Sequence, residues 1–248
     1  MRPGIRAFVE SAAACFELRG PVYEFGAFQV EGQERLANLR PLFSGITYVG
    51  CDMRPGPGVD RIEDLTQLSL PDESATTILC LETLEHVFDV RRAVDELMRV
   101  LAPGGILLVS VPFYFRIHAY PSDYWRITPQ CLAGLLAPLD ARLVGYQGSV
   151  KHPHTVFGLA AKQPLAPDFG SRKRAFVYDF QQRLTQVAQS RSPWRRWEER
   201  VRGLFVSKGE RRRRRCQYQC HFELDADSPP NLTTGASPCG VPVESMLV

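Results

Sequence analysis

Residues 76–113 constrain this chain more than any other stretch. They read TTILCLETLEHVFDVRRAVDELMRVLAPGGILLVSVPF. Residues 76–81 form a short apolar run with β-branched side chains, as a strand buried on both faces requires. Val90, Val94, Leu97, Met98 and Leu101 then recur at three- and four-residue spacing, which marks one apolar face of a helix. Asp89 stands where an N-cap belongs. Pro103-Gly104-Gly105 is expected to stop the helix, with glycine taking the left-handed closing conformation. Residues 106–111 read as a second buried strand. Strand, crossover helix and strand make a βαβ unit, so the two strands should be parallel.

The rest of the first 161 residues alternates in the same way. Residues 5–18 and 33–43 read as helices, and 129–136 as a later one. Strands are expected at 21–25, 46–51 and, more briefly, 59–62, with two final strands at 141–146 and 155–161. His152 and His154, around Pro153, read as turn residues. This pattern predicts an α/β fold: a doubly wound, mostly parallel, Rossmann-like sheet flanked by helices. In such sheets ligands lie beyond the carboxyl ends of the strands. That edge carries Glu24 and Gly26 after the first strand and Asp52 after the second. Asp64-Leu65 follows the third, and Glu82, Glu85 and His86 follow the fourth.

After Gly26 the chain reads Ala27-Phe28-Gln29-Val30-Glu31-Gly32. A dinucleotide fingerprint needs a second glycine where Phe28 stands, so that backbone can approach a pyrophosphate. Phe28 therefore argues against NAD or FAD. An acidic side chain at the Asp52 position suits the two hydroxyls of a ribose. Beyond the central unit, residues 112–128 are dense in aromatic and ionisable groups and read as a lid over the sheet edge. His118 within it is the candidate general base, with His86 and Asp123 in reserve. Tyr124 and Trp125 suit stacking on a flat or sugar-like ligand, and Arg126 suits a carboxylate or phosphate. No His/Cys/Asp set has the spacing of a metal site.

The central block, LETLEHVFDVRRAVDELMRVLAPGGILLVSVPF, resembles that of the class I S-adenosylmethionine-dependent methyltransferases of the type 11 kind. The resemblance spans roughly residues 21–162. It implies S-adenosylmethionine as cofactor, with Asp52 on the ribose, Asp64 on the adenine amine and Leu65 over the ring. Glu24, Gly26 and Glu82 would complete the cofactor site. The chain keeps the acidic residue and first glycine of the family's Gly-rich loop and lacks the next two. A smaller branch is similar to it here, and also at Tyr48-Val49-Gly50-Cys51-Asp52 and in the His-x-x-Pro-x-Asp-Tyr-Trp-Arg-x-Thr run. The expected reaction is methyl transfer to a small-molecule or glycan-like acceptor. Two alternatives stay open: a methyltransferase-fold binding module without catalysis, and an RNA methyltransferase using a C-terminal arginine run.

Charge divides the chain. Residues 1–170 hold 15 Lys/Arg and 19 Asp/Glu, residues 171–215 hold 15 and 4, and residues 216–248 hold none and 4. The organisation expected is a methyltransferase domain over 1–164, a basic amphipathic helical extension over 165–224 and a disordered tail over 225–248. Phe176, Phe180, Leu184 and Val187 recur at helical spacing, as do Trp194, Trp197, Val201, Leu204 and Phe205. Such a segment packs on the core or on a second copy, or lies on an anionic membrane surface through 171–215. The run Arg211 to Arg215 is expected to bind nucleic acid only weakly and non-specifically. Residues 217–224 read as an edge strand. Seven scattered cysteines point to a reducing, cytoplasmic setting, with Cys15, Cys51, Cys80 and Cys131 as small core residues.

Overall fold

The computed structural model describes residues 2–118, 122–190 and 216–223. Helix α1 (Pro3–Cys15) precedes strand β1 (Val22–Phe25). After a short helix α2 (Glu34–Ala37) come β2 (Tyr48–Asp52), β3 (Arg61–Ile62) and β4 (Ala75–Leu81). Helix α3 (Val90–Val100) crosses over to β5 (Leu101–Pro112). Helix α4 (Pro129–Leu135), the hairpin β6 (Ala141–Ser149) and β7 (His152–Ala161), helix α5 (Phe169–Gln189) and strand β8 (Cys220–Phe222) follow.

The eight strands form one sheet in the order β3-β2-β1-β4-β5-β7-β6-β8. β1 to β5 are parallel, and β7, β6 and β8 add antiparallel. The order reverses between β1 and β4, which places a ligand crevice at their carboxyl ends. Because side chains alternate across a strand, β4 and β5 feed two cores. Ile78, Cys80, Leu107, Val109 and Val111 point to one face, where they pack with Val94 and Leu97 of α3 and Leu132 of α4. Leu79, Leu81, Ile106 and Leu108 point to the other, toward α1 and α5.

Three of the expected elements differ. The helix expected over 33–43 is two short pieces, α2 and a 3-10 turn at Arg40–Phe43. Pro41 has no N–H to continue the ladder, and the Asn38 side chain accepts from the Arg40 N–H instead. The Pro103-Gly104-Gly105 turn does not end α3. Asp89 caps the helix through the Arg92 N–H as expected, but Leu101 is already extended at the other end. Leu101 pairs with Ala75, and the turn bends within β5, where the register shifts before Ile106 pairs with Thr77. His152 and His154 belong to β7, not to a turn, because the hairpin strands run on to the Ser149–His152 pair. Of the four cysteines expected in the core, Cys51 and Cys80 are buried, Cys15 is half-buried and Cys131 lies on the open side of α4.

Helix α5 packs on α1. Phe176, Phe180 and Leu184, four residues apart, are fully buried in the same core as Phe8 and Phe157. The Phe8 ring stacks on Phe157 at 4.7 Å and meets Phe176 and Phe180 edge-on at 5.5 and 5.7 Å. The apolar face of 169–189 is thus covered by the sheet's own helix layer. The Trp194 and Trp197 segment, the Arg211 to Arg215 run and the 225–248 tail lie outside the described residues. Among the described residues, no helix is long and apolar enough to cross a membrane.

Candidate active site

A cavity of about 1170 Å³ opens at the carboxyl ends of β1, β2 and β4. Its first wall is the turn after β1. Gly26 has φ +82°, and a Cβ there would meet the Thr83 Oγ1 at 2.1 Å, so glycine alone fits. The Thr83 hydroxyl donates to the Phe25 carbonyl, tying this turn to the end of β4. Phe28, standing where the usual loop has a glycine, is accommodated from the other side. Its ring lies against Gly56, where a Cβ would come within 2.2 Å, and under the Arg54 guanidinium at 4.3 Å. The missing glycine of one loop is offset by a glycine in the facing one.

Asp52 ends β2 and lines the cavity. Its carboxylate accepts from the Phe28 and Arg54 backbone N–H groups at 3.3 and 3.2 Å, which couples the two loops. Asp64 and Leu65 line the same wall, with Asp64 accepting from the Thr66 N–H and hydroxyl, both at 2.8 Å. Glu24, one of the expected cofactor residues, does not reach the cavity. Its buried carboxylate accepts from the Tyr48 hydroxyl within the sheet, and burial pushes it up to about 7. An acid in the middle of β1 projects across the sheet face, whereas Asp52 projects from a strand end.

The opposite wall begins at Glu82, a non-glycine residue with φ +52° directly after β4. Its Oε2 pairs with Arg2 at 2.6 Å, while its Oε1 is buried without a hydrogen-bond partner. Arg2 also donates to the His154 carbonyl and lies over the Phe115 ring. Sequence gave no reason to single out Arg2, because it precedes β1 and reaches the site only through the packing of α1.

His86, His118 and Tyr124 also line this wall, together with the exposed Phe88. The His86 and His118 rings meet edge to face at 4.8 Å. His86 Nδ1 contacts the Ser122 carbonyl, and His118 Nδ1 lies 3.0 Å from Asp123 Oδ2. Asp123 is clamped by Arg126, which holds its carboxyl well below the usual carboxylate range. That clamp corrects the expected role of Arg126: its fork is engaged by Asp123 and by the Arg116 carbonyl, and it does not line the cavity. Trp125 likewise turns away from the cavity, donating its indole N–H to the Val87 and Phe88 carbonyls. Both residues hold the lid in place, and Phe88, edge-on to Tyr124 at 5.4 Å, takes the exposed aromatic position.

Behind His86 lies Glu85, fully buried, with neither carboxylate oxygen hydrogen-bonded among the described residues. Burial, then the charge of Glu82, pushes it well above the ordinary carboxylate range. Its Oε1 is 3.7 Å from His86 Nε2. No spacing in the sequence pointed to this grouping, because His118 arrives from a different strand end.

Part of this chain is similar to known proteins. Residues 39–109, from before β2 into β5, match the family model described as a methyltransferase domain. A probable S-adenosylmethionine-dependent methyltransferase from Mycolicibacterium smegmatis is 34% identical over 96 residues, which are 37% of this chain and 37% of that protein. Another from Mycobacterium tuberculosis is 41% identical over 49 residues, 20% of this chain and 18% of its own length. The chain therefore spans well under half the length of these relatives in the matched part. Solved structures with a similar arrangement include a SAM-dependent methyltransferase from Archaeoglobus fulgidus (13% identity, 63% of this chain and 94% of that one, TM-score 0.47). The N-methyltransferase NodS from Bradyrhizobium japonicum, in complex with S-adenosyl-L-homocysteine, is another (16%, 64% and 85%, 0.46). In the matched part, the chain is similar to the S-adenosylmethionine-dependent methyltransferases.

Proposed function

We propose that this protein transfers the methyl group of S-adenosylmethionine to a small-molecule or glycan-like acceptor. The observation that carries the reading is a single cavity joining two kinds of wall. Asp52, Asp64 and Leu65 lie on one side, and Glu82, His86, His118 and Tyr124 on the other. Its volume is ample for a nucleoside and a small second ligand.

The residues fit the cofactor. Asp52 would take the ribose hydroxyls, and Asp64 and Leu65 the adenine. Glu82 and Arg2 match the zwitterionic methionine end: the orphaned Glu82 Oε1 is an acceptor for an ammonium, and Arg2 a fork for a carboxylate. When bound, the sulfonium supplies both the methyl group and the leaving thioether. The chain's part is alignment and control of the acceptor's proton. The lid presents the His86 and His118 imidazoles beside that end, with Asp123 oriented by Arg126 behind His118. Phe88 and Tyr124 offer aromatic faces to an acceptor ring.

Calorimetry with S-adenosylmethionine and its demethylated product tests the first half of the reading. Transfer of a labelled methyl group into a panel of sugars and small hydroxyl compounds tests the second. Absence of binding of either nucleoside at millimolar concentration would leave a methyltransferase-shaped scaffold.

A further inference from the structure

We infer that Glu85, His86 and His118 form a binding site for one divalent first-row transition-metal ion at the acceptor end of the cavity. One ligand atom from each residue lies within 4.8 Å of the others. Metal–nitrogen and metal–oxygen bonds of about 2 Å bring ligand atoms to about 3 Å apart, so closing the cluster takes a shift of about an ångström per side chain.

Three independent features support a cation here. First, Glu85 is fully buried and its two oxygens have no hydrogen-bond partner among the described residues. A buried charge is tolerated when it is paired or bound to a metal. Second, the His86 imidazole is oriented as a metal-bound histidine is. His86 directs Nδ1 to the Ser122 carbonyl, while His118 Nδ1 lies 3.0 Å from Asp123 Oδ2 without a hydrogen bond to it. A proton held on Nδ1 by a carbonyl leaves the Nε2 lone pair for the ion. Third, Asp123 is itself fixed by Arg126 through contacts that include 2.7 Å from Nη2 to Oδ2, so the outer layer is rigid. Two imidazoles and one carboxylate suit zinc, cobalt, iron or manganese better than calcium or magnesium, which prefer all-oxygen sites. With three protein ligands, coordination positions remain open toward the cavity.

The site's role rests on the proposed function; its existence does not. A hydroxyl bound to the ion loses its proton to solvent more readily. Its oxygen then attacks the methyl carbon, the carbon–sulfur bond breaks, and the electron pair stays on sulfur. The imidazoles would act through the ion and would not take the proton directly.

The test is titration of the chelator-treated, full-length protein with Co²⁺, followed in the visible spectrum, and with Zn²⁺ by calorimetry and competition. One equivalent of Co²⁺ should bind with the intense bands of a four- or five-coordinate ion and be displaced by Zn²⁺. His118→Ala and Glu85→Gln should each weaken binding at least tenfold. His152→Ala, outside the cluster, should leave it unchanged. His118 is partly exposed, so its replacement spares the fold even if the Glu85 variant unfolds. Wild-type protein that binds no Co²⁺ below millimolar concentration, or a His118→Ala protein that binds it like wild type, overturns the site. Cofactor titration of the same samples is read separately. Cation binding without nucleoside binding sinks the proposed function and keeps the site, and the reverse result does the opposite.

Discussion

Glu24 makes the stability of this fold depend on pH in a direction opposite to most paired carboxylates. Its side chain lies inside the sheet on β1, accepts from the Tyr48 hydroxyl and titrates near 7 against an ordinary value of 4.5, with burial the leading cause. The folded state therefore holds a proton that the unfolded chain has released across this interval. Stability from this group is fully present below about 4.5 and is lost as pH rises through about 7. A shift of about 2.5 units at 1.36 kcal/mol per unit corresponds to about 3 kcal/mol. Glu24→Gln removes the titration and keeps an acceptor for Tyr48. An unpaired amide N–H could add a constant penalty of about 1–3 kcal/mol, which does not change with pH. Urea denaturation of both proteins at intervals from pH 4.5 to 8.5 gives the difference curve, from which all shared titrations cancel. The glutamine variant should gain about 3 kcal/mol on wild type between those limits. Parallel stability curves would refute the argument, and a wild type that gains on the variant as pH rises would reverse its sign.

Asp52→Ala should weaken S-adenosylmethionine binding at least tenfold, about 1.4 kcal/mol, by calorimetry. Arg2→Met should weaken S-adenosylmethionine by about tenfold and leave 5′-methylthioadenosine, which lacks the amino-acid end, unchanged; equal losses for both would remove Arg2 from the methionine end. Phe180→Ala should cost about 3–5 kcal/mol in urea denaturation, because the ring is fully buried between α5, Phe8 and Phe157. A loss under about 1 kcal/mol would mean that α5 is peripheral to the core.

Much of the fold is legible locally. The β4–α3–β5 unit follows from period-3.6 apolar spacing between two β-branched runs, and the Asp89 cap follows from residue chemistry three positions before Arg92. Asp52, Asp64 and Leu65 are also legible, since a strand end in a parallel sheet fixes where their side chains emerge. Errors arose where tertiary contacts overrode local signals. The Pro-Gly-Gly segment looks like a helix stop, yet β4 draws Leu101 into pairing before the turn is reached. Glu24 looks like Asp52 in a list of acidic strand residues, but it lies two positions before Gly26 and within the sheet.

The sequence by itself determined the sheet, its crossover and the cavity wall of Asp52, Asp64 and Leu65, because each depends on neighbours within a few residues. Only the tertiary structure decided the opposite wall. Arg2, Glu82 and Glu85 meet there with His86 and His118 because α1, β4 and the lid converge on one strand end. It also turned Arg126 from a ligand-holding residue into the clamp on Asp123, and Phe28 from a blocked glycine position into a ring seated against Gly56. Such groupings come from distances through space between residues far apart in the chain, and no periodicity or spacing encodes them.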